Sequence, residues 1–345
     1  MARATGRVKR WVHAHRRSAV LLAIAVLSFV AASGGLAALL SRSAHPLPTH
    51  APGTPCRVSG DQRASGTLPP VTRVSHIVVV MLENKECGEI VGNPAARYTN
   101  GLAQRFALAL NSHAIRHPSE PNYLALTGGS TFGHRADCRS CLVRAPNLVD
   151  ELEHAGISWK AYMGGLPAPC STVGSAGPAP DEYVREIDPF LLYVDVLTNP
   201  GRCSHVVPLS ELKSDLAKGT LPRFVWVTPN LCQSAHSCSI RTGDKFLSQL
   251  LPPLLRRLEH NGLLFVTWDE GDFASDRGCC RLAAGGNVAA IVAGGAARRG
   301  AVSTAPYDHY SVLRTIEDAW RLPELRDAAC PCTRAMRDLI APGVP

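Results

Sequence analysis

Four short apolar runs constrain this chain more than any other feature: residues 76–82 (HIVVVML), 223–228 (RFVWVT), 263–268 (LLFVTW) and 288–293 (VAAIVA). None shows the polar alternation of a strand with one wet face. Such continuous runs mark strands buried on both faces, the situation of a parallel sheet covered by helices on each side. A fifth strand is expected around residues 157–163. Helical stretches over residues 147–155, 244–260 and 310–321 separate the runs. The alternation predicts an α/β domain with a mostly parallel sheet. Residues 164–210 are rich in Gly and Pro and read as an insertion rather than core.

The head of the chain is of another kind. Arg3, Arg7, Lys9, Arg10, Arg16 and Arg17 precede residues 18–40, a run of 23 residues without a charge. At about 1.5 Å per residue such a run can cross a bilayer, with the cations of residues 1–17 left on the cytoplasmic side. It reads either as an uncleaved membrane anchor or as a signal peptide cut near Ala31, Ala32 and Ser33. Residues 41–70 read as a flexible linker and residues 71–345 as one folded domain. Either reading places that domain outside the cytoplasm, secreted or tethered to the membrane. The net charge of +8 belongs to the head, because residues 43–345 carry 29 basic against 28 acidic side chains. A body so close to neutral has no field to hold a nucleic-acid backbone, so nucleic acid is excluded as a partner.

Twelve cysteines on an exported chain read first as disulfides. Cys232 and Cys238 could close a small loop, and Cys170 and Cys203 could tie the 164–210 segment. Cys279 and Cys280 are adjacent, and a bridge between neighbours is strained, so each is expected to pair elsewhere. Cys138 and Cys141, with His134 nearby, form half of a zinc motif. No second half follows, and zinc is disfavoured there.

In a parallel sheet, chemistry collects where the strands end at their carboxyl edge. Glu83 and Asn84 follow the first run, Asn230 and His236 the second, and Asp269 and Glu270 the third. Asp308 and His309 open the last helix. His117, Ser119 and Asn122 directly precede a helical-looking stretch. Each has an ordinary structural explanation, as a helix cap or a solvated turn. Together they would bring carboxylates, amides and imidazoles to one edge. Crowded acids call for a cation: oxygen donors favour Mg2+, Ca2+ or Mn2+, and histidines leave Zn2+ open. Ser119 at a helix N-terminus suits a phosphate and is the candidate nucleophile. The hydrolase elbow, the Walker A loop and the dinucleotide fingerprint are all absent.

At these residues the chain resembles the bacterial phosphoesterase family of acid phosphatases and phospholipases C, a branch of the alkaline phosphatase-like superfamily. The similar segments are HIVVVMLEN (76–84), HPSEPNYLALTGGSTFG (117–133), VTPNLCQSAHSCSIRTGD (227–244), LLFVTWDEGD (263–272) and YDHYSVLRTIEDAW (307–320). The resemblance implies an α/β/α sandwich around a largely parallel sheet. It also implies a divalent metal held by Glu83, Asn84, Asp269, Glu270 and Ser119. Ser119 would be the nucleophile, and Asn122, with His117 and Asn230, would contact the phosphate. His236 and His309 would meet the phosphoryl group or the leaving oxygen, or bind a second metal. The family usually continues after Glu-Asn with His or Arg, then Ser and an aromatic; here Lys85-Glu86-Cys87-Gly88 stands instead. The expected function is an exported, metal-dependent phosphoric ester hydrolase of acid phosphatase type, working through a phosphoserine. The alternatives are a phospholipase C acting on phospholipid head groups and an inactive surface binding module.

Overall fold

The computed structural model describes residues 74–343. The anchor, signal and linker expectations concern residues 1–70 and lie outside the described residues. No helix among the described residues is long and apolar enough to cross a membrane.

All four apolar runs form strands of one nine-stranded sheet. In chain order the strands are β1 (Ile77–Leu82), β2 (Ala107–His113), β3 (Trp159–Met163), β4 (Val206–Pro208), β5 (Phe224–Thr228), β6 (Leu263–Trp268), β7 (Asn287–Ala293), β8 (Val302–Ser303) and β9 (Tyr307–Asp308). Their spatial order is β8-β2-β7-β6-β1-β5-β3-β4, with β9 also against β2. All neighbouring pairs are parallel except those of β7, which runs against both β2 and β6. Every residue of β1, β5, β6 and β7 is buried, so both faces of the sheet centre are covered. That is why these strands carry no polar alternation.

The principal helices are α1 (Arg97–Arg105), α2 (Glu120–Gly128), α3 (Leu148–His154), α4 (Glu211–Lys218), α5 (Ile240–Arg257) and α6 (His309–Trp320). α1 packs on α5, and α2 on α6. α2 is buried all round, Glu120 and Asn122 included, so its polar side chains must find partners inside the protein.

Two expectations are corrected. The 164–210 segment is not outside the core: Phe190, Leu191, Leu192 and Tyr193 are fully buried, and β4 edges the main sheet. Phe190 packs on Trp159 and Trp226 with ring centroids 5.4 and 5.6 Å away. Cys279 and Cys280 are bonded to each other. They sit in a tight turn in which Cys280 and Arg281 both have positive φ. Cys170–Cys203 and Cys232–Cys238 pair as the spacing suggested, and Cys138–Cys141 is a disulfide, not a metal site. Cys330–Cys332 is also bonded, and no described cysteine is free.

Candidate active site

β1 and β6 lie side by side with Leu82 opposite Trp268, so the next residues, Glu83 and Asp269, leave the sheet together. Asn84 joins the two turns. Its backbone N–H donates to Asp269 Oδ1 at 3.0 Å and its side-chain Nδ2 to Glu270 Oε1 at 2.9 Å. Asn84 has φ 40°, a left-handed conformation rare outside glycine that costs about 1–3 kcal/mol and gathers at functional sites. Neither Glu83 nor Asn84 caps the following short helix; Glu86 does.

Ser119 reaches the same edge from the end of β2. It stands at the N-cap position of α2, yet its backbone is helical and its hydroxyl caps nothing. The hydroxyl lies instead 3.2 Å from Glu83 Oε2 and 3.3 Å from Glu270 Oε1. Asn122 holds the approach to this turn. Its Oδ1 accepts from the backbone N–H of Ile115 and Arg116, and its Nδ2 donates to the carbonyls of Arg116 and Pro118. All its hydrogen-bonding capacity is thereby taken by backbone, leaving none for a phosphate in this arrangement. Tyr123, not singled out from the sequence, donates its hydroxyl to Glu83 Oε1. The signal was present: four residues after Ser119 on a helix is the same face.

The cluster is strongly perturbed. Burial drives the Glu83 carboxyl well above its usual range; the Asp269 charge adds to this, and hydrogen bonds from Tyr123 and Ser119 oppose it. Burial and the neighbouring Glu270 do the same to Asp269. His117 binds Glu270 Oε2 through Nδ1 and donates from Nε2 to the Ser275 carbonyl at 2.7 Å. Burial alone would lower its imidazole, but the bonds to Glu270 and Ser275 outweigh that and raise it. Both ring nitrogens are occupied, so His117 braces Glu270 rather than facing a phosphate.

His309 is fully buried behind Asp269. A carbonyl can only accept, so Nε2 donates to the Asp269 carbonyl at 2.6 Å, and burial holds the ring near a pKa of about 4. His236 sits on the segment whose Ser234 carbonyl accepts the Glu83 N–H. Its ring is lowered by burial and by Lys85, against the pull of Asp137. Asn230 accepts from Gln233 N–H and reaches Asp181 Oδ1 at 3.3 Å, shaping the turn after β5. Direct contacts thus gather Glu83, Asn84, Ser119, Asp269, Glu270 and His117, with His309 behind them.

Two buried oxygens of this cluster, Asn84 Oδ1 and Asp269 Oδ2, have no hydrogen-bond partner. Unpaired buried oxygens beside three carboxylates fit a hard divalent cation. Among the described residues, no three His, Cys, Asp or Glu side chains already form a ready cage for one.

The sequence model of the Phosphoesterase family matches residues 93–323. The chain is 35% identical over 254 residues to a phosphatidylinositol-3-phosphatase of Mycobacterium tuberculosis, covering 72% of this chain and 78% of that protein. It is 28% identical over 283 residues to an acid phosphatase of Aspergillus fumigatus, covering 78% of this chain and 61% of the relative. Among solved structures, a protein in the alkaline phosphatase superfamily from Vibrio parahaemolyticus superposes with a TM-score of 0.50 at 12% identity, over 77% of this chain and 72% of that one. That likeness speaks for the fold alone. The chain belongs to the Phosphoesterase family and is a phosphoric ester hydrolase on an alkaline phosphatase-like fold.

Proposed function

We propose that the chain is a metal-dependent phosphomonoesterase of acid phosphatase type, with Ser119 as nucleophile. One observation carries the reading. The Ser119 hydroxyl stands where a helix cap belongs, yet it lies between Glu83 Oε2 and Glu270 Oε1. Ser119 Oγ attacks phosphorus, the bond to the leaving oxygen breaks, and the phosphoserine is then hydrolysed by water. Glu83 Oε2 and Glu270 Oε1 are the acceptors within reach of the serine proton. Tyr123 orients Glu83, His117 orients Glu270, and His309 supports Asp269 from behind. His236, whose ring feels Lys85 and Asp137, would meet the phosphoryl oxygens. Glu83, Asn84, Asp269, Glu270 and Ser119 would hold a divalent cation. When bound, it would offset the carboxylate charge and favour the alkoxide form of the serine. The all-oxygen donor set favours Mg2+, Ca2+ or Mn2+ over Zn2+.

The named activities of the two relatives favour a monoester over the diester of a phospholipase C. The 35% identity to a phosphatidylinositol-3-phosphatase supports a second substrate, a phosphomonoester on a lipid head group. The assembled serine and carboxylates favour catalysis over an inactive binding module. The apolar head and the five disulfides of the described residues support export, anchored or secreted.

The test is turnover of p-nitrophenyl phosphate and of p-nitrophenyl phosphocholine, with and without chelator. Hydrolysis of the monoester, lost in chelator and restored by a divalent ion, is expected. Preference for the diester would sink the monoesterase reading, and full turnover in excess chelator would sink the metal.

A further inference from the structure

Because β7 runs backwards, the connection from β6 to β7 begins and ends at the active edge. It forms a loop closed at its base, where Gly271 N–H donates to the Gly285 carbonyl at 2.8 Å and Gly286 N–H to the Arg277 carbonyl at 2.9 Å. Within it, Cys279 and Cys280 are bonded and Cys279 pairs with Ala283 as a β-bridge. Compact surface loops with joined ends are frequently functional. This one is tied to the site by the bond from His117 to the Ser275 carbonyl.

Phe273 lies on this loop and is 72% exposed, against 38–42% for the other exposed large apolar side chains among the described residues. Its ring nevertheless has a fixed neighbour. It lies 5.3 Å from the His117 ring, tilted by 51°. His117 holds Glu270, and Glu270 Oε1 is 3.3 Å from Ser119 Oγ. An aromatic face is therefore presented to solvent two side chains from the attacking oxygen. In-line displacement puts the leaving oxygen opposite Ser119 Oγ. Glu83 and Tyr123, on one side of Ser119, are buried, whereas Phe273 is exposed on the loop joined to the site through His117, so a leaving group that passes toward this loop would meet its ring.

We propose that Phe273 is a specificity-determining contact for the leaving group, and that the site prefers phosphomonoesters whose leaving alcohol carries a flat apolar face, aryl esters first. The proposal rests on the reading of Ser119 as the attacking group. Aromatic rings meet such faces by offset stacking or edge-to-face contact, and the energy of one pair corresponds to roughly a three- to tenfold change in affinity.

The experiment measures kcat and KM of the metal-replete protein, its Phe273→Ala variant and its Phe273→Tyr variant, on p-nitrophenyl phosphate and on acyclic glycerol 2-phosphate. Phe273→Ala should raise KM for the aryl ester about three- to tenfold more than for the glycerol ester, with kcat changing less than KM. Phe273→Tyr, which keeps the ring, should restore the aryl KM. Equal changes on both esters would mean that Phe273 only braces His117, and would overturn the proposal. So would an active wild type whose KM values are indifferent to both substitutions. A wild type that hydrolyses neither ester would overturn the phosphatase reading as well. Because Phe273 is so exposed, the variants should melt as wild type does.

Discussion

Ser119→Ala separates structural from chemical roles sharply. A serine that caps a helix contributes about 0.5–2 kcal/mol through its side-chain hydrogen bond. Ser119 makes no such bond and its backbone is already helical, so alanine fits the same conformation. What alanine removes is one hydroxyl proton shared between two long contacts, 3.2 Å to Glu83 and 3.3 Å to Glu270. An ordinary net hydrogen bond contributes about 0.5–1.5 kcal/mol. In a domain of this size that is a melting shift of about 2–5 °C at most. Turnover should fall by about 10³-fold or more, because the covalent route is gone. The assay is p-nitrophenyl phosphate hydrolysis at saturating divalent ion, beside a thermal melt. Acid quench of the native enzyme with labelled substrate should leave phosphate on the peptide containing Ser119. Ser119→Thr keeps a hydroxyl and should retain partial activity. Near wild-type turnover by Ser119→Ala in saturating metal would refute the covalent mechanism and leave a directly activated water as the better account.

Asp269→Asn should lose bound divalent ion, read by elemental analysis, along with most activity, since the carboxylate supplies charge as well as an oxygen; unchanged metal content would count against this ligand. Tyr123→Phe leaves Glu83 Oε1 buried without its donor and should cost about 1–3 kcal/mol by chemical denaturation; no loss of stability would mean that the contact has no structural weight. Burial raises Glu317 to about 8, Asp188 to about 7 and Asp308 to about 6. Their folded forms prefer the proton, so their contribution is complete below about pH 4 and is lost as pH rises through 6 to 8. Melting temperature should therefore decline between about pH 4 and pH 8, and Glu317→Gln should flatten that decline; an unchanged decline would contradict the burial of that charge. A fusion of residues 1–45 to a reporter active only outside the cytoplasm should be active; a cytoplasmic full chain with reduced thiols would refute export.

Apolar runs with no polar alternation dictated buried strands, and buried parallel strands dictated a shared carboxyl edge. That much of the site follows from local pattern: Glu83, Asn84, Asp269 and Glu270 each sit one or two residues beyond a run, and they meet because the runs pair in register. A continuous apolar run carries no direction, however, so nothing in residues 288–293 revealed that β7 runs backwards and returns the Phe273 loop to the active edge. Nor did the Gly and Pro of residues 164–210 disclose that Phe190–Tyr193 would fill the core beside Trp226. The duties of individual polar groups were the least legible. Asn122 looked like a phosphate contact until its four hydrogen bonds were taken by backbone, and His117 until Glu270 and the Ser275 carbonyl took both its nitrogens. Sequence spacing governs which face of an element is buried. How a polar side chain uses its limited hydrogen-bonding capacity depends on partners as far away as Glu270 is from Ser119, 151 residues along the chain, and only the packed structure brings those together.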